Sequence, residues 1–311
     1  MAGGHGMTDI GSTQGPTRLR DQIWAPRPWT MSALQALGVL AAAWAIWFGA
    51  GWGWWALSLA VYFLTTCLGM ALCVHRAMTH RAFTLARPVE RLFSLFAALG
   101  GTGSPVGWIA VHRAHHATAD TEADPHGPGA HGWALLFGAA VDRVDWWRVR
   151  DVLRDPYQRV LHSHYTMILV GWAGVLALIH PLALVFGFLT PAAAQITVTH
   201  LSTILGHGWG YRNFPTRDES TNNVLITVLT WGEGWHNNHH MFPNRYRFGE
   251  TSREIDISAW IIEKFLIRDG RKKMKLLVEE FKRVCKEIPS ETAINFNGVK
   301  YRYIDLARRI N

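Results

Sequence analysis

The sequence predicts an all-α integral membrane protein: four transmembrane helices capped by a cytoplasmic helical domain rich in histidine. Three observations carry that prediction. Charged residues make up only 17% of the 311. No Asp, Glu, Lys or Arg occurs from Met31 to Val74, and none from Tyr165 to Tyr211. A bilayer core takes about 20 mostly apolar residues per helix, so each stretch has room for two spans. Two long helices buried in a soluble protein are the competing reading, which clean turns at bilayer spacing disfavour.

Taken in order, residues 1–30 read as a cytoplasmic segment, disordered or interfacial, because 1–23 are polar and rich in Gly, Ser and Thr. No cleavable signal is visible: the apolar region begins only near Met31 and far exceeds the roughly 7–15 residues of a signal core. The first apolar stretch splits at "GAGWGWW" into spans near 32–49 and 54–74, and Trp47, Trp52, Trp54 and Trp55 crowd the turn as an interfacial aromatic belt does. The second splits at His180-Pro181 into spans near 165–180 and 182–206. Every Arg and Lys lies in the N-terminal tail, in 75–164, or after Tyr211. The positive-inside rule therefore places both termini and both large polar segments in the cytoplasm. Residues 31–266 form one membrane domain, and 267–311 a cytoplasmic appendage. All seven lysines lie at or after Lys264; Leu277, Phe281, Val284 and Ile288 make a helical apolar stripe; and "AINFNGVKYRY" predicts a hairpin around Asn297-Gly298. Cys67, Cys73 and Cys285 are odd in number and unpatterned, so no disulfide framework is implied.

The histidines carry the chemistry. His75 and His80 stand where the second span ends, His112, His115 and His116 follow in "HRAHH", His207 closes the fourth span, and "HNNHH" holds His236, His239 and His240. A single histidine is more often a satisfied polar residue than a ligand, but HxxHH occurs twice here. Positions i, i+3 and i+4 of a helix fall within an arc of roughly 100°, so each run aims three imidazoles at one region. Positions i and i+5 lie about 140° apart on a straight helix, so His75 and His80 are expected to serve different ions. Nine imidazoles exceed the six ligands of an octahedral site, and two metals is the natural count. The cytoplasmic cap is thus read as holding a His-rich dimetal site. Oxygen-seeking Ca²⁺ and Mg²⁺ are excluded by ligand type; imidazole suits Fe, Cu, Zn and Ni alike.

These residues resemble the membrane-bound fatty acid desaturases, in particular the acyl-CoA, stearoyl-CoA-like Δ9 branch and its bacterial relatives. The likeness rests on "HRAMTHRAF", "HRAHHATADTEADPHGP", "GHGWGYRNF" and "GEGWHNNHHMFP", and spans about residues 31–265. It implies two Fe²⁺ ions held by His75, His80, His112, His115, His116, His207, His236, His239 and His240, with O₂ as co-substrate. It further implies a cis double bond placed in a saturated acyl chain, most naturally an acyl-CoA with an acyl-lipid as alternative, in a bacterial inner membrane. In the acyl-CoA branch an Asn commonly sits four residues before the histidine matching His207; here it is Thr203. Thr203, His200, His126 and Asn237 are read as candidate neighbours of the ligands, while His131, His162, His164 and His180 are left as ordinary interface residues.

No side-chain acid, base or nucleophile is needed for such chemistry, and position selectivity falls to a channel lined by residues of "WALSLAVYFLTTCLGM", with Phe63 a candidate floor. All-imidazole ligation is expected to leave the metals without carboxylate compensation. No dinucleotide fingerprint or fused haem module is present, so electrons are expected from outside, from a ferredoxin, a rubredoxin or cytochrome b5 with a reductase. No nucleic-acid partner is expected. "GGTGSPVG" precedes a histidine run rather than opening a phosphate-binding helix. The formal charge of +8, with Arg143, Arg148, Arg150, Arg154 and Arg159, makes a basic face suited to an acidic carrier, to anionic headgroups or to CoA phosphates; plain positive-inside bias explains it equally. Two competing readings are a related di-iron hydroxylase or alkane monooxygenase, and a haem-binding electron-transfer protein.

Overall fold

Hydrophobicity sets the frame, but charge does not decide where each apolar helix stops. The computed structural model describes residues 22–24, 28–137, 143–267, 292–296 and 299–302. Helix α1 spans Pro28–Trp47. Helix α2 runs unbroken over Trp52–Thr79, past the end expected at residue 74. The residue that ended the apolar run there, Arg76, is fully buried, its charge answered by Glu233 and Asp256, so it does not stop the helix. From Phe63 to Thr79 the winding widens to π-helix.

Among the described residues three helices are long and apolar enough to cross a bilayer: Thr30–Trp47, Trp52–Thr79 and Pro181–Gly206. The span expected near 165–180 differs. Tyr165–Ile179 has 15 residues, about 22 Å of helix against a hydrocarbon core of about 30 Å. Only with Pro156–Ser163, from which it bends by 72°, does it make up a fourth crossing. At the break before Pro181, Nδ1 of His180 accepts from the Leu182 N–H at 3.1 Å and caps the next helix, while its ring stacks on Trp54. We call Pro156–Ser163 α5, Tyr165–Ile179 α6 and Pro181–Gly206 α7.

Two helices lie between the first and second pairs. Helix α3, Arg87–Leu99, packs against α2 at Gly69, where a Cβ would come within 2.4 Å of the Ala97 nitrogen. Only a residue without one allows that approach. The stretch "GGTGSPVG" is the turn from α3 into α4, Pro105–Thr118. Ser104 caps α4 by accepting from the Gly107 N–H at 3.1 Å, and His162 Nδ1 lies 2.6 Å from the same hydroxyl. Met70, Cys73 and Val74 of α2 meet Ala97, Val106 and Ile109 in the core beneath the histidines. Two short helices complete the cap, α8 at Val224–Thr230 and α9 at His236–Met241.

Within the segment read as an unstructured tail, Gln22–Trp24 pairs antiparallel with Arg143–Asp145; the rest of that tail, through residue 21, lies outside the described residues. Residues Trp260–Asn311 form a separate unit. In it Thr292–Phe296 pairs antiparallel with Val299–Arg302, Phe296 opposite Val299. The apolar stripe from Leu277 to Ile288 and the Asn297-Gly298 turn lie outside the described residues.

Candidate metal centre

Helices α2, α4, α7 and α9 end in the same place and deliver all nine histidines there. They sort into two groups. His75, His80, His112, His116 and His239 form one; His115, His207, His236 and His240 form the other; within each, one ligand nitrogen per residue lies within 4.8 Å of every other. Each HxxHH run is divided in the same manner. Its i and i+4 histidines go to one group and its i+3 histidine crosses to the other.

His75 and His80 were expected to serve different ions, but the structure does not part them. Both belong to the five-histidine group, with ring centroids 4.9 Å apart. The cause is the π-winding: the His80 N–H bonds to the His75 carbonyl at 3.2 Å, and an i→i+5 bond sets residue i+5 about one full turn above residue i.

The nitrogens are spaced as ligands are. In the first group Nε2 of His75 lies 3.1 Å from Nε2 of His239, His239 3.0 Å from His116, His116 3.0 Å from His112, and His112 3.2 Å from His80. In the second, Nε2 of His207 and His236 are 3.0 Å apart. Donors about 2.1 Å from one ion and at right angles stand about 3.0 Å apart. Nδ1 of His75 and of His207 faces a carboxylate, which fixes the proton there and leaves Nε2 a bare lone pair. Bare lone pairs turned on one another are not hydrogen bonds, and a cation is what makes such an arrangement favourable. Nε2 of His115 and of His240 are buried with no hydrogen-bond partner. The donor set fits two imidazole-seeking metal ions.

Electrostatics keeps these rings in the metal-binding form. Burial, and then the charge of neighbouring imidazoles, holds His80, His112, His115, His116, His236 and His239 well below the usual histidine value. All six are therefore neutral at pH 7.

Sequence reasoning missed the carboxylates behind the rings. His115 Nδ1 lies 2.8 Å from Asp124, His207 Nδ1 2.7 Å from Asp120, and His240 Nδ1 2.8 Å from Asp218. His75 Nδ1 is bonded to Glu233. Compensation absent among the ligands is thus supplied one bond further out. Burial works to raise Asp218, but His240, Ser220 and Thr216 together hold it below the usual carboxylate range; Arg76 and His75 do the same for buried Glu233. The signal was present in "TADTEADPHGP" and "GEGWH", where acids stand two to four residues from the nearest histidine.

Of the four candidate neighbours, Asn237 turns away from the histidines. Its Oδ1 accepts from the N–H groups of Asn213 and Phe214, both at 2.9 Å, and its Nδ2 donates to the Phe214 carbonyl at 3.0 Å. Asn238 accepts from Asn213 and Asn222 side chains at 2.9 Å. The two asparagines thus clamp α9 to the loop before α8. His126 stacks on His115 with centroids 4.5 Å apart, and burial pushes it down to about 4. His200 and Thr203 face a cavity of about 170 Å³ between the helices. That cavity reaches His75, His112 and His236 and is walled by Met70, Ala71 and Val198. Phe63 is not in its wall and packs edge-on against Trp231 instead, 5.1 Å between centroids.

Comparison with known proteins gives the same answer. The family model described as "Fatty acid desaturase" matches residues 52–255. The chain is 30% identical over 255 residues to icosanoyl-CoA 5-desaturase of Limnanthes douglasii, covering 77% of this chain and 70% of the relative. It is 33% identical over 226 residues to Delta-9 acyl-lipid desaturase 2 of Arabidopsis thaliana, covering 69% and 73%. It is 30% identical over 228 residues to sn-1 stearoyl-lipid 9-desaturase of Anabaena variabilis, covering 68% and 80%. These names include both thioester and lipid-ester substrates, so the narrower acyl-CoA expectation is not singled out. The chain belongs to the fatty acid desaturase family and is an oxidoreductase that desaturates fatty acyl chains.

Proposed function

We propose that the protein is an O₂-dependent di-iron desaturase that places a cis double bond at position 9 of a saturated acyl chain. The observation that carries this reading is the convergence of nine histidines, in groups of five and four, against one largely apolar cavity. His75, His80, His112, His116 and His239 would hold one iron, and His115, His207, His236 and His240 the other. When bound, the two ions supply activation of O₂ against an unreactive C–H bond, with two external electrons and two protons consumed for each double bond and two waters released.

The chain's own residues bind, orient and shield. Asp120, Asp124, Asp218 and Glu233 hold four rings by Nδ1, so that Nε2 points inward. Walls such as Met70, Ala71 and Val198 exclude water and fix which methylene pair faces the histidines. Thr203 and His200 give that wall its polar side, and His126 steadies His115 by stacking. Electrons come from a separate carrier such as a ferredoxin, a rubredoxin or cytochrome b5 with its reductase. Counting the bent pair α5–α6 as one span, the distribution of Arg and Lys supports a cytoplasmic face for the histidines and both termini. Two of the three relatives named act at position 9, which supports that position here.

Expression in a bacterium auxotrophic for unsaturated fatty acids tests this directly. Growth is expected to return, with cis Δ9 bonds in the lipids; His115→Ala or His239→Ala should insert normally yet give none. Hydroxylated acyl chains without unsaturated ones would assign the protein to the oxygen-inserting relatives. Supplying the membranes with labelled stearoyl-CoA or labelled phospholipid distinguishes the carrier. The haem reading needs facing pairs of histidines within the spans, whereas these gather at the span ends.

A further inference from the structure

The two histidine groups differ in what stands behind them. Among the described residues one carboxylate, Glu233, is bonded to the five-histidine group, through His75. Its charge is shared with Arg76, which lies 2.7 Å from Glu233 and 3.0 Å from Asp256 and is fully buried. One guanidinium against two carboxylates leaves a single negative charge behind that group. Three carboxylates stand behind the four-histidine group: Asp120 on His207, Asp124 on His115 and Asp218 on His240. Among the described residues none of the three is paired with a Lys or Arg.

Neutral donors hold them instead. Asp120 accepts from the Glu219 N–H at 2.8 Å. Asp124 accepts from the N–H groups of Asp120 and His126, at 3.0 and 3.1 Å. Asp218 accepts from the Ser220 N–H at 3.1 Å and from the Thr216 hydroxyl at 2.8 Å. These contacts fix the orientation of each carboxylate without cancelling a full charge.

A carboxylate on Nδ1 raises the basicity of the ligating Nε2 and sets a negative charge near the ion. Its attraction grows in proportion to the ion's charge, so it favours a trivalent ion over a divalent one. The fifth imidazole of the other group is neutral and adds no such field.

We infer that the two sites are inequivalent: Asp120, Asp124 and Asp218 are positioning residues that make the four-histidine group the seat of the ferric ion when the iron pair holds only one reducing electron. This rests on the ligand assignment proposed above. Reduction of one ion takes one electron from the external donor, Fe³⁺ becoming Fe²⁺ with no bond made or broken.

The test uses detergent-solubilised full-length protein loaded with iron, its content measured first and then titrated with dithionite under EPR and Mössbauer spectroscopy. At the midpoint we expect more than half of the chains in the mixed-valence state, half being the share for equal, independent sites. Asp218→Asn should narrow the gap between the sites and lower the mixed-valence share at the midpoint toward one half. Asp218→Glu should restore it, and Asp120→Asn provides a second variant should the first fold poorly. A midpoint at or below one half, or Asn variants with an unchanged mixture, overturns the inference. Protein that binds no iron overturns the ligand assignment itself, and the inference with it.

Discussion

Replacing Glu233 by Gln separates charge from shape at the five-histidine group. Glu233 Oε1 accepts from Nε and Nη2 of Arg76 at 2.9 and 2.7 Å, and Oε2 takes Nδ1 of His75. A Gln keeps one acceptor, but its amide nitrogen then meets a donor at whichever partner it faces. Opposite unit charges about 4 Å apart attract by about 4 kcal/mol at an effective dielectric of 20. Removing one partner of a buried pair costs about 3–5 kcal/mol. Asp256 still reaches Arg76 through both oxygens at 3.0 Å, so the low end applies, about 3 kcal/mol. A local effect accompanies it: His75 loses the acceptor that sets its tautomer, and such losses weaken metal binding about 10–100-fold. Thermal unfolding in detergent reads the first effect, and iron retention against a graded chelator reads the second. A Glu233→Gln protein that unfolds with wild type and keeps its iron within about twofold would refute the role given to this triad.

Three further outcomes follow from the same geometry. Gly232 sits at φ +123°, and a Cβ there would come within 2.4 Å of Asp256 Oδ1 and 3.2 Å of Arg76 Nη2; Gly232→Ala should cost about 2–3 kcal/mol in a thermal melt, and an unchanged melt would refute the need for glycine at this turn. Asn237→Ala strips the acceptor from two partly exposed backbone N–H groups, each hydrogen bond worth about 0.5–1.5 kcal/mol; iron content should fall even though Asn237 touches no ligand nitrogen, and normal iron would speak against the clamp on α9. The depressed histidines set the acid limit. Released imidazoles take up protons near pH 6.5, whereas the same rings held in the folded protein resist protonation. The released state thus binds more protons as pH falls below about 6.5, and stability and iron retention, complete above that value, should drop steeply beneath it. A flat iron-retention profile from pH 8 to 5 would contradict this.

The spans and the nine histidines were legible in the sequence because both announce themselves by composition: long uncharged runs in one case, a residue type repeated at helical spacing in the other. What the sequence concealed was geometry that depends on distant partners. An isolated α2 should end at the first charge, Arg76; it continues because Glu233 and Asp256, some 160 and 180 positions away, meet that charge. The grouping of His75 with His80 follows from π-winding, which no spacing rule for an ordinary helix contains. The division of each HxxHH run between two groups appears only once α4 and α9 face each other. Asn237 lies beside a ligand in sequence, yet its side chain points to the 213–216 loop. The span read near 165–180 lay wholly in an uncharged run, and the Pro156–Ser163 helix that completes its crossing carries Arg159 and so fell outside that run.

The claim on which the rest depends is that two iron ions sit among these nine imidazoles in the working enzyme. Iron per chain, counted in purified protein whose desaturase activity is measured on the same sample, tests it most directly. Two per chain are expected, falling to one or none together with activity in His115→Ala and His239→Ala. Fully active protein free of iron, or variants that keep both ions and full activity, would contradict it.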